Sequence, residues 1–212
     1  MLSVSLIERC LESGDYDRLL QGLSRNGLVL PLSLRLALGQ SATAAAGLGL
    51  GRLVELTFGP SGLSQRLVEM LLDDQEAGRG GGGPAMAGAD PLLTACGLAG
   101  LAAVAADYPG PVDERLRAGV AAGFAELGVL QDGDGLFTAA TDRSAADRAV
   151  TTAFIVALLG RHRAFRASVR LYDTQRWFAA RDGRLDRAGR ELWDMARIVI
   201  DEVYEPGLAL VA

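Results

Sequence analysis

Lysine is absent from this chain; arginine, with 21 residues, supplies every side-chain cation other than histidine. That absence excludes a P-loop, which needs Gly-Lys-Ser/Thr leading from a strand into a helix. The glycine run Gly78–Gly83 therefore reads as a flexible connector. Histidine occurs once, at His162. A Ser, Cys or Thr nucleophile requires a neighbouring base, and no sequence motif joins the lone histidine to such a nucleophile. Arginine's general use reads as a coding bias toward GC-rich codons. Cysteine occurs twice, at Cys10 and Cys96, too few and too helical in setting for a disulfide framework. Both are expected as free thiols in a reducing cytosol.

Aromatic residues make up only 6% of the chain, and strand-favouring side chains are scarce, which argues against sheets and for closely packed helices. The longest uncharged runs, Leu36–Gly51 and Pro91–Ala106, are 16 residues each. They fall short of the roughly 20 that cross a bilayer, so no membrane span is expected. Helices apolar all round yet too short to span belong in a protein core. The start MLSVSLIERC lacks a basic stretch followed by an apolar one, so no signal peptide is expected and the location is read as cytoplasmic. A net charge of −5 gives no global reason to expect nucleic acid as a partner.

What is present is repetition. SATAAAGLGLGRLVEL from Ser41, PLLTACGLAGLAAVAA from Pro91 and DRAVTTAFIVALLGRH from Asp147 each open an apolar helix on a Thr-Ala pair. Such spacing marks a repeated supersecondary unit. A more polar helix follows each, over Ser61–Asp73, Val112–Leu130 and Arg163–Arg181. Gly59-Pro60 and Pro109-Gly110-Pro111 break the chain within units, because proline cannot continue a helix and glycine caps one. The expected unit is a helical hairpin with one buried and one half-exposed member. The chain is read as one helical domain over 1–212: N-terminal helices or a degenerate hairpin in 1–40, three hairpin repeats in 41–185, and a C-terminal helix and apolar tail in 186–212. Within the last part, Leu192, Ala196, Val199 and Val203 share a helical face.

Leu72, Gln75, Gly80–Pro84 and Thr94-Ala95-Cys96-Gly97-Leu98, followed by Leu130-Gln131-Asp132-Gly133-Asp134-Gly135, give a pattern that resembles the repeats of protein prenyltransferase β subunits and squalene/terpene cyclases. The resemblance covers roughly Ser41 to Leu185. It implies an all-α fold of the α/α-toroid type, with apolar helices inside and polar helices outside. Toroids of that family hold five or six hairpins, and this chain has room for three or four. A partial ring leaves apolar flanks, which are unusual on monomers, so a homo-oligomer is expected.

The family's chemistry is not intact here. Its zinc site uses an Asp-x-Cys pair and a distant histidine. Cys96 stands at the cysteine position, but Thr94 replaces the aspartate and His162 lies at the far end of an inner helix, so no metal is expected. The cyclase acid motif Asp-x-Asp-Asp does not occur. Asp132-Gly133-Asp134-Gly135 reads as a turn, and Asp73-Asp74-Gln75-Glu76 as a solvated helix end. No cofactor is expected.

The leading reading is a non-catalytic relative that presents a concave helical surface to an apolar, isoprenoid-like ligand or a protein partner. Small side chains at Thr43, Thr94, Cys96 and Thr152 would leave room for the ligand. The competing reading is an isoprenoid- or terpenoid-processing enzyme with Asp90 or Asp147, near inner-helix starts, as acids. A third is a structural homodimer. Between Arg161 and Arg190 stand nine arginines, three aspartates and no glutamate. Of these, Arg163, Arg166 and Arg170 are expected on one helical face, as an anion or partner stripe.

Overall fold

The computed structural model of the chain describes residues 3–57, 61–77, 90–107 and 114–204. The expected breaks at Gly59-Pro60 and Pro109–Pro111, the Gly78–Gly83 run with Pro84, and the apolar tail Pro206–Ala212 lie outside these residues. Among the described residues the protein is all-helical, with no strand. The first helices are α1 (Val4–Ser13), α2 (Tyr16–Ser24) and α3 (Leu32–Leu38). They are followed by α4 (Ala42–Leu56), α5 (Gly62–Glu76), α6 (Pro91–Asp107) and α7 (Glu114–Leu130). The C-terminal part holds α8 (Ala145–Leu159), α9 (Arg163–Ser168), α10 (Leu171–Ala179) and α11 (Arg187–Tyr204).

Helix starts follow the local chemistry. Ser3, Asp15, Ser41, Ser61 and Ser144 each accept a hydrogen bond from the backbone N–H three residues on, satisfying a donor that the first turn leaves unpaired. Pro91 opens α6, at a position where its missing N–H costs nothing.

Three helices, α4, α6 and α8, are buried on nearly every side. They stand in a row: α4 packs on α6, α6 on α8, and the amphipathic α11 covers α8, while α1 covers α4 at the other end. A second tier of α5 and α7 lies against this row, and α9 packs on α7. The α4–α6 contact is the most extensive in the molecule, and glycine makes it possible. A Cβ on Gly47 would stand 2.1 Å from the Cys96 carbonyl oxygen, and one on Gly100 would stand 2.5 Å from the Gly47 carbonyl oxygen. The two backbones touch there.

The third polar helix differs from expectation. Arg163–Arg181 is not one helix but two, α9 and α10, separated where Val169 turns extended (φ −108, ψ 156). Gln131 holds the break open. Its Oε1 accepts the Arg170 N–H at 2.6 Å, and the Arg170 guanidinium donates to the Gln131 carbonyl at 2.6 Å and to the Asp132 carbonyl. Gly128 lets the Ser168 carbonyl approach to a distance that a Cβ would close to 2.2 Å. The Asp132–Gly135 stretch is the expected turn, with Gly135 at φ +78 and Asp132 Oδ1 accepting from the N–H groups of Asp134 and Leu136.

Candidate functional site

Two concave regions lie at opposite ends of α8. At its start is a cleft of about 350 Å³ between α3 and the loop preceding α8, lined by Leu34, Leu36 and Gln40 on one side and Asp142, Asp147 and Thr151 on the other. Asp142 and Asp147 line it, and Asp90 lies near Asp142. Asp90 Oδ1 accepts the Leu92 N–H at 2.8 Å, capping α6, and Oδ2 accepts the Ala140 N–H at 3.0 Å. Asp142 accepts the Ala139 N–H at 2.8 Å and the Thr151 hydroxyl at 2.9 Å. Asp147 accepts the Arg143 N–H at 3.0 Å and the Ser144 hydroxyl at 2.9 Å. Burial raises the Asp142 carboxyl above the ordinary range. Its two hydrogen bonds pull against that, and the nearby Asp147 and Asp90 add to it. Asp147 is held below the ordinary range by the Arg143 N–H and then the Ser144 hydroxyl.

The structure thus brings together the two acids expected from sequence, Asp90 and Asp147, and adds Asp142, which carried no periodic or motif signal. All three are occupied in fastening the loop 136–144 across the starts of α6 and α8. Asp90 and Asp142 use both oxygens as acceptors, so neither presents a free acid to the cleft.

Of the four small residues expected to leave room for a ligand, Thr94, Cys96 and Thr152 are fully buried. None of the four lines either concave region. Thr152 accepts the Phe137 N–H at 2.9 Å, and Thr43 donates to Asp74 at 2.8 Å. The Thr94 hydroxyl has no partner among the described residues. Burial, reinforced by Asp90, pushes the Cys96 thiol far up, and Cys10 and Cys96 are both free. Small side chains here bring α4 and α6 into contact instead of opening a space between them.

The arginine stripe is dispersed for the same reason that its helix is broken. Arg166 donates to the Gly160 carbonyl at 2.6 Å, closing the end of α8, and Arg170 is spent on the Gln131–Asp132 carbonyls. Arg163 is exposed on α9. The acidic run that ends α5 is the expected solvated helix end, with Asp73 and Glu76 exposed, and its side chains also clasp neighbouring helices. Asp73 and Glu76 pair with Arg115 at 2.7 and 2.8 Å, Asp74 holds Thr43, and Gln75 donates to the Gly119 carbonyl at 2.8 Å. His162 lies against Phe124, with ring centroids 5.9 Å apart. No trio of His, Cys, Asp or Glu among the described residues is placed to hold a metal ion.

The second concave region is a groove of two lobes at the far end of α8, about 310 and 390 Å³. Each lies within the range of about 300–1,000 Å³ typical of small-molecule sites. One lobe runs between Leu28, the second half of α4 and Ala99 of α6. The other runs between Val29, Phe154 and Leu158 on one side and Leu192, Met195 and Val199 of α11 on the other. Gly27, Leu28, Glu55, Leu158 and Arg161 line both. Sequence reasoning missed this region, because its walls come from five elements far apart in the chain.

Comparison with models of known protein families, with curated proteins and with solved structures finds no match.

Proposed function

We propose that this chain is a non-catalytic helical-repeat protein of the prenyltransferase/cyclase α/α-toroid type that takes up an apolar small molecule in the two-lobed groove. The observation that carries the reading is the groove's lining. Leu28, Val29, Phe154, Leu158, Leu192, Met195 and Val199 form an apolar wall with few charges, the composition that ligand pockets favour. The toroid part of the reading is supported by the row of apolar helices α4, α6 and α8. It is supported too by the parallel use of Gln75 and Gln131, each tying an outer helix to the next outer element. The non-catalytic part rests on the three carboxylates at the other end of α8, which serve as backbone fasteners.

Calorimetric titration with uncharged isoprenoid alcohols of ten to twenty carbons tests the proposal. Saturable binding is expected at one chain length or more. Leu158→Arg, at a half-buried groove position, abolishes it while thermal unfolding stays cooperative. Leu36→Arg, in the acid-lined cleft, leaves it unchanged. No binding at any chain length overturns the reading.

A further inference from the structure

We infer that the ligand of this groove is a monocarboxylic acid with a long apolar chain, and that Arg161 receives its carboxylate. The inference rests on the groove being a ligand site. Three charged side chains line the two lobes, namely Arg52, Glu55 and Arg161. Arg52 and Glu55 neutralise one another, with Nη1 and Oε2 2.5 Å apart. Arg161 has no acceptor among the described residues and lines both lobes at their shared waist. The groove therefore carries one uncompensated positive charge beside an apolar wall. A guanidinium matches a carboxylate through two parallel hydrogen bonds, and an arginine is the side chain suited to that planar fork. The charge count also discriminates. A ligand with one negative charge balances Arg161, whereas a diphosphate brings several negative charges next to Glu55 with only one free cation to meet them. The buried Nε of Arg52, also without an acceptor, adds to the excess of donors over acceptors along this wall.

The test compares three probes on the whole chain by calorimetric titration: dodecanoate, dodecanol and farnesyl diphosphate. Wild type is expected to bind dodecanoate at least tenfold more tightly than dodecanol, and farnesyl diphosphate more weakly than dodecanoate. Arg161→Met removes the preference for the acid and leaves dodecanol binding unchanged; Arg161→Lys restores part of it. Equal affinity for acid and alcohol, or an Arg161→Met variant that keeps the preference, overturns the carboxylate assignment while leaving the groove as an apolar site. Tighter binding of the diphosphate overturns the monoanion class. Failure of all three probes instead counts against the groove itself. Arg161 is exposed and without a structural partner, so its variants are expected to unfold at the wild-type temperature.

Discussion

Asp90 shows how a single carboxylate can look catalytic and be structural. One oxygen caps α6 and the other holds Ala140, so its removal loosens a helix start and a loop together. Asp90→Ala is expected to cost about 1–2 kcal/mol, read as a lower urea midpoint with an unchanged slope, and Asp90→Asn to cost less because the amide oxygen still caps. Glu126 is the opposite case. It is 94% buried, since only 6% of its surface is accessible, and its Oε2 has no partner among the described residues. Burial raises its carboxyl above the ordinary range, so the folded state binds this proton more tightly than the unfolded chain does. The resulting stability is complete below the unfolded carboxylate range and is lost as pH rises through the folded value. Glu126→Gln escapes that loss. Thermal unfolding of wild type and variant should show the variant gaining with pH, by about 1–3 kcal/mol near neutrality. A difference that does not change between about pH 4 and about pH 8 would rule out a buried ionisation at this site.

At the scale of elements, the α4–α6 crossing is the most sensitive feature. Gly47→Ala drives a methyl into the Cys96 carbonyl. The three nearest atoms are all backbone, so no rotamer change relieves the clash, and a loss of at least about 1–3 kcal/mol is expected in chemical denaturation. Gly62→Ala, at the first exposed position of α5 with nothing within 4 Å of its new methyl, is expected to gain about 0.4–1 kcal/mol. The helices themselves were legible. Ser41 and Ser61 placed the starts of α4 and α5 to within a residue, and Pro91 marked the start of α6. The break between α9 and α10 was not legible. Arg163 to Arg181 carries a continuous helical period, and what interrupts it is Gln131, a side chain about forty residues earlier. A similar distance hid the acid cleft. Asp90 and Asp147 were visible near helix starts, but Asp142 sits in an irregular loop and joins them only through folding.

For the whole molecule, the three apolar segments of the chain form α4, α6 and α8, which pack in that order. No helix among the described residues is long and apolar enough to cross a membrane. The expectation of a second copy rests on the shortness of the proposed ring; Leu32 and Leu36, one turn apart on α3, are about 60% exposed. Light scattering is expected to give twice the 22.2 kDa of one chain, and a mass of one chain excludes ring completion by dimerisation. Composition and periodicity were enough to indicate the helical class of the described residues and which helices are apolar, because those depend on side chains within a turn or two of each other. The contacts that decide function are of another kind. Whether small residues open a cavity or close a crossing depends on which helix faces them. Whether an arginine is free for a ligand depends on which carbonyls and carboxylates come within about 3 Å of it. Those are properties of packing between distant segments. They moved the candidate site from the small residues of α4, α6 and α8 to the groove beside Arg161.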